Sequence, residues 1–306
     1  MLAALFILLT GLAWMTISVS QASSRHGNCP AELFYGIGAA CTFTLTMAWL
    51  LLTGGLRGLE WSWLVFICTI GGALLNSVAN LTTMINVGYG SAALYLALSS
   101  LGIIISFLWS VAAWHEPMSW RNAAGILCII AAIILSALDG RKREKNPASR
   151  SGDLRLVRKR LALAFASTVF CGASQILFIF PFSGGCSAPP LPGMVKIAII
   201  SATYIVIYGA LVLWRKRHYA AWPSGRLLAT YPVLWGFLAI FSYTFLFCAL
   251  KHLGAMGRTG LAYPLCDAIK LFCFAIFCRV VYRDRLTPRQ AAALLLIVVG
   301  IFAARM

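Results

Sequence analysis

Residues 228–250 read LATYPVLWGFLAIFSYTFLFCAL, with no acidic, basic or histidine side chain among them. Such a run supplies the roughly 20 apolar residues that a helix needs to cross a hydrocarbon core about 30 Å thick. At that depth no water bonds the backbone, and no alternating pattern suggests a barrel, so the segment predicts a membrane helix. Working outward, similar runs fall at about residues 2–20, 30–53, 61–83, 89–113, 121–138, 160–182, 193–214, 257–281 and 288–304. With short connections these use up the 306 residues. The expected fold class is an all-α membrane protein of about ten transmembrane helices with almost no soluble domain. Composition agrees: 61% of residues are hydrophobic and 11% charged, against about 45–50% and about 25% in an ordinary soluble domain.

The net charge of +17 is no nucleic-acid footprint, because its basic residues sit between apolar blocks, whereas a DNA or RNA binder presents them on a folded polar face. Cationic loops on one side of a bilayer give the same total. The fifth loop carries Arg141, Lys142, Arg143, Lys145, Arg150, Arg155, Arg158, Lys159 and Arg160. The seventh carries Arg215, Lys216, Arg217 and Arg226, and the ninth Arg283 and Arg285. The opposite side holds little beyond Arg57, Arg121, Lys196, Lys251, Arg258 and Arg305. This count puts both termini outside the cytoplasm, and the expected location is a bacterial inner membrane. The first apolar run has no preceding Lys or Arg and no convincing cleavage site, so it reads as a retained helix. Cysteines such as Cys68, Cys128, Cys171, Cys248 and Cys273 lie in apolar runs as small hydrophobes. Cys29 and Cys186 fall on opposite sides, and no disulfide is expected.

The basic stretch divides the chain into residues 1–139, a loop at 140–159 and residues 160–306. An ungapped shift of 168 residues, the separation of Tyr95 from Tyr263, aligns the two parts. It places Ser91 on Thr259, Glu116 on Asp284, Ser119 on Thr287, Arg121 on Arg289 and Ala123-Ala124 on Ala291-Ala292. The fourth and fifth spans thus reappear as the ninth and tenth. Repeats of five spans each must enter the membrane in opposite senses, the inverted arrangement of many transporters.

The junctions at Glu116 and Asp284 carry a family likeness. The chain resembles the drug/metabolite transporter superfamily, in particular its ten-helix EamA-type members. Trp114-His115-Glu116-Pro117-Met118-Ser119, Gly125-Ile126-Leu127 and Ala131-Ala132 are similar to the end of the family's first repeat. Tyr263-Pro264, Tyr282-Arg283-Asp284-Arg285-Leu286-Thr287 and Val299-Gly300-Ile301 are similar to the end of its second. The chain departs from the pattern at Asp284, where the family has Glu, and at Ala293, where it has Gly. Better-known ten-helix members also keep both termini in the cytoplasm, the reverse of the charge count here. The resemblance implies secondary-active export or exchange of a small organic solute by alternating access. In the related nucleotide-sugar and organophosphate carriers, a basic residue in the ninth helix is part of the substrate site, which implies that role for Lys270.

A charge at bilayer depth costs at least about 2.5–3.5 kcal/mol, so it needs a partner or a function. Asp267 and Lys270 lie mid-span at spacing i, i+3 and can pair on one helix face. The pair reads either as structural or as a cavity lining in which Lys270 receives an anionic group and Asp267 a proton or an amine. Asn76 and Asn80, one turn apart, read equally as interhelical glue or ligand donors. Gln175 with Ser174, and Tyr95 and Tyr263, complete the candidate substrate site. Leu296 reads as lipid-facing. Glu116 and Asp284, beside Arg121 and Arg285, read as helix caps or interfacial pairs without a transport role. The tryptophans Trp49, Trp61, Trp63, Trp114, Trp120, Trp214 and Trp222 flank spans as an interfacial belt.

An intramembrane enzyme is the rival class, but His26, His115, His218 and His252 lie at junctions or loops, and no second membrane aspartate partners Asp267. No phosphate loop for an ATPase is present. A channel is the other alternative, and the repeat favours a carrier over it. The expected partners are a zwitterionic or anionic small-molecule solute and the lipid bilayer, with the protein a monomer or homodimer. No catalytic residue, metal or cofactor is expected.

Overall fold

The computed structural model describes residues 2–26, 29–87, 100–144, 154–184, 186, 191–215, 225–281 and 288–303. Tyr95, Ser91 and Asp284 lie outside them. Ten α-helices are present among the described residues: α1 (Leu2–His26), α2 (Ala31–Leu52), α3 (Trp63–Val87), α4 (Gly102–Ala113), α5 (Trp120–Glu144), α6 (Leu154–Ile179), α7 (Gly193–Arg215), α8 (Gly225–Ala255), α9 (Ala262–Val281) and α10 (Pro288–Ala303). Short 3-10 turns at Phe180–Phe182 and Thr259–Leu261 follow α6 and precede α9.

Among the described residues, seven helices are long and apolar enough to cross a membrane: α1 to α3 and α6 to α9, with Phe180–Phe182 continuing the span of α6 and Thr259–Leu261 beginning that of α9. The apolar helices at Gly102–Ala113, Trp120–Leu135 and Ala291–Ala303 are shorter. The surface fits the same solvent. Phe165, Val206, Leu213 and Phe302 are each about two-thirds exposed or more on helix flanks, where water would penalise them and lipid does not. The architecture is that of an α-helical membrane protein.

Some boundaries differ from the sequence reading. The stretch 140–159, expected as a basic loop, is partly helical: α5 runs on to Glu144 and α6 begins at Leu154. Lys, Arg and Glu are strong helix formers, and a helix needs no apolar face once it leaves the bilayer. Leu296 is half-buried and packs on the core, whereas its neighbour Leu295 is 65% exposed. One residue turns a helix by about 100°, so the lipid-facing stripe of α10 runs through Leu295.

Helix packing sets the interior. α1 lies along α8 and α3 along α6, while α2 packs on α7 and α5 on α10. In addition α1 meets α9, α4 meets α6, α2 meets α8 and α3 meets α7. Glycine permits the tightest approaches. A Cβ on Gly172 of α6 would lie 2.7 Å from the carbonyl oxygen of Gly102 in α4, so these two backbones meet only without side chains. At the α2–α8 crossing, Thr42 donates its hydroxyl to the carbonyl of Gly236 at 2.8 Å. Glu32 and Arg215, 3.5 Å apart, tie the start of α2 to the end of α7.

Candidate functional site

A cavity of about 160 Å³ lies among α1, α3, α6, α8 and α9. Its wall includes Asn76, Asn80, Gln175, Tyr263, Asp267 and Lys270. Every candidate site residue among the described residues is therefore brought to one space; Tyr95 is the one outside them. In volume it is close to an apolar cavity of roughly 150 Å³ known to hold a benzene ring.

The charged pair stands on α9. Lys270 and Asp267 make an ion pair one helical turn apart, and the Lys270 ammonium also donates to Ser100 Oγ at 2.8 Å. Asp267 is 3% exposed. The ammonium lies 5.9 Å from the centre of the Trp14 ring, whose other neighbour is Tyr263, with ring centres 5.7 Å apart. Tyr263 is buried, and its hydroxyl has no hydrogen-bond partner among the described residues. An unpaired buried hydroxyl costs roughly 1–3 kcal/mol, and this one belongs to a residue that lines a cavity where a solute could supply the partner.

The asparagines are held from the other side. Asn76 donates to the hydroxyls of Tyr204 at 2.5 Å and Tyr243 at 3.2 Å. Asn80 offers its backbone carbonyl to Tyr35, whose hydroxyl also accepts from Gln21 at 3.1 Å. Asn76 thus joins α3 to α7 and α8 as interhelical glue, and it also lines the cavity. Gln175 accepts from Ser106 Oγ at 2.7 Å and directs its amide toward Cys171 Sγ at 3.4 Å. Ser174 lines the same wall.

Several wall residues escaped the sequence reading: Trp14 and Gln21 on α1, Ser100, Cys171 and Tyr243, as did Tyr204, which holds Asn76 from behind the wall. Trp14 carried a usable signal, because it lies mid-span where an interfacial anchor does not belong. Lys196 was counted among interfacial charges, yet it is 2% exposed. The belt tryptophans Trp49, Trp61, Trp63, Trp120 and Trp214 are exposed near helix ends as expected, whereas Trp114 is partly buried and packs on the core beside Phe180, and Trp222 lies outside the described residues.

Glu116 serves as a cap, and its partners lie in the other half of the chain. Its carboxylate accepts the backbone N–H groups of Thr259 and Gly260, each at 2.9 Å, and the Thr259 hydroxyl. Arg121 instead lies over the Trp120 ring.

No family model and no curated protein matches the chain. A solved crystal structure, described only as that of a protein, is similar with a TM-score of 0.70. It covers 99% of this chain and 95% of its own, at 19% identity. At that identity the likeness is one of fold.

Proposed function

We propose that this protein is a secondary-active transporter of a small zwitterionic or anionic organic solute, working by alternating access around the cavity. In this reading ten spans form two inverted five-helix repeats of the drug/metabolite transporter superfamily. The carrying observation is that one buried acid and one partly buried base line a cavity built from both halves: α1 and α3 from the first, α6, α8 and α9 from the second. Transporter sites lie at such repeat interfaces.

Packing supports the repeat. Exchanging α1 to α5 for α6 to α10 turns the α1–α8 contact into α6–α3, α1–α9 into α6–α4, and α2–α8 into α7–α3. The α2–α7 and α5–α10 contacts return to themselves. Two such halves can swap conformations, which is what alternating access requires.

The pair also bears on the solute. An anionic group that takes Lys270 from Asp267 strands a buried carboxylate, which is costly. A zwitterion splits the pair without stranding either charge, since its ammonium meets Asp267 while its anionic end meets Lys270 and Ser100. An anion needs a proton on Asp267 to reach the same balance. The Tyr263 hydroxyl adds one more polar contact, and Trp14 and Phe178 give apolar walls.

Counterflow in proteoliposomes tests this function. Vesicles loaded with an unlabelled solute should transiently accumulate the labelled form, saturably, for at least one member of a panel of amino acids, organic acids and organic phosphates. Uptake that rises linearly without saturation would point to a channel. No uptake across the panel would count against this solute class.

A further inference from the structure

Lys196 is the fourth residue of α7 and is 2% exposed. No carboxylate lies within ion-pair distance of it among the described residues. Its ammonium sits 3.9 Å from the centre of the Phe182 ring and 5.2 Å from that of Phe247.

The position does not favour a cation for structure alone. The first turn is the positive end of the helix dipole, which disfavours an ammonium, and burial keeps the head group from water. Contact with the ring faces returns part of that cost, and an apolar residue would avoid it.

The rings beside Lys196 lead to the cavity. Phe182 stacks on Phe247 with centres 6.0 Å apart, Phe247 on Tyr243 at 6.0 Å, and Tyr243 meets Phe178 edge-on at 6.2 Å. Tyr243 and Phe178 both line the cavity. Lys196 therefore stands at the outer end of an aromatic ladder whose inner end is the solute space, on the side where α6 ends and α7 begins.

The geometry points to Lys196 as a second cationic station, which holds the anionic group of the solute on its passage between the cavity and that membrane face. This rests on the alternating-access reading, in which the ladder parts when that side opens. The solute's carboxylate or phosphate meets Lys196 outside the ladder and Lys270 inside it, so the route attracts anions at both ends.

The native cysteine Cys171 lines the cavity and reports on passage. Anionic, cationic and neutral methanethiosulfonates are applied to each face of the full-length protein in oriented vesicles, and modification of Cys171 is read by mass spectrometry. From the face where α7 begins, Lys196→Met should cut the anionic-to-cationic rate ratio roughly tenfold, the effect of losing one unit charge near the path. The neutral reagent and the opposite face should be unaffected, and Lys196→Arg should keep the ratio. Lys270 is present throughout and cancels from the comparison. Lys196→Gln serves if the methionine variant does not fold. An unchanged ratio in folded Lys196→Met or Lys196→Gln protein, with Cys171 still labelled, overturns the station and leaves the cavity intact. A Cys171 that even the neutral reagent never reaches overturns both.

Discussion

Glu116 and Thr259 join the two halves of the chain: one carboxylate oxygen of Glu116 accepts both the backbone N–H and the hydroxyl of Thr259. The other oxygen takes the next N–H, from Gly260. A helix start leaves N–H groups unpaired, and a carboxylate there satisfies them and complements the dipole. Residue 116 follows α4 and residue 259 precedes α9, so this cap holds one half on the other.

Glu116→Gln should therefore weaken the join without emptying it, since the amide oxygen accepts less strongly than a carboxylate. Hydrogen bonds to charged groups contribute about 1.5–3 kcal/mol each, and partial exposure of Glu116 lowers that. Thermal unfolding in detergent should show a fall of a few degrees for Glu116→Gln and a larger one for Glu116→Ala. Equal melting points for all three proteins would remove the cap's stabilising role.

The Asp267–Lys270 pair separates structure from function. Lys270→Met strands a buried carboxylate and should cost about 3–5 kcal/mol, whereas Asp267→Asn with Lys270→Met leaves no charge behind. The double variant should regain most of the lost thermal stability and still not catalyse counterflow. Recovery of transport together with stability would make the pair a packing device only.

Much of this was legible in the sequence because apolar run length and charge placement are strong, local signals. The runs marked nearly every helix, and the spacing of Asp267 and Lys270 announced their pairing. Burial was less legible. Lys196 looked interfacial because a lysine near the start of a span usually reaches water, and its position between Phe182 and Phe247 depends on two other helices. Leu296 and Leu295 are alike in sequence and differ only by helix rotation. Tyr204 and Tyr243 gave no signal, since their tie to Asn76 is a contact between distant segments.

The glycine contact between α4 and α6 should not tolerate bulk. A Cβ on Gly172 would meet both the Gly102 carbonyl and the Ile105 Cβ at 2.7 Å, so Gly172→Val forces the helices apart. Overpacking of this kind costs roughly 1–3 kcal/mol. Less monodisperse protein on size-exclusion chromatography is expected for Gly172→Val than for Gly209→Val, where an added Cβ meets open space. Similar yields for the two would show that the contact yields easily.

The basic loops predict that both termini lie outside the cytoplasm. A C-terminal fluorescent reporter that matures only in the cytoplasm should stay dark, and a phosphatase active only outside it should work. A bright reporter would reverse the orientation and leave the helices unchanged.

In the proposed transport cycle, one cavity shared by both halves opens to each side of the membrane in turn. Cysteines at Asn80 on α3 and at Tyr263 on α9 sample the two halves of its wall, and Leu295→Cys on the exposed stripe of α10 is the control. A membrane-impermeant thiol reagent is applied separately to each face of oriented vesicles, in a background where the native cysteines are replaced. The account predicts that Asn80→Cys and Tyr263→Cys react from both faces and Leu295→Cys from neither. Cavity cysteines that stay unreactive from both faces would contradict it and return these polar groups to the role of helix-packing glue.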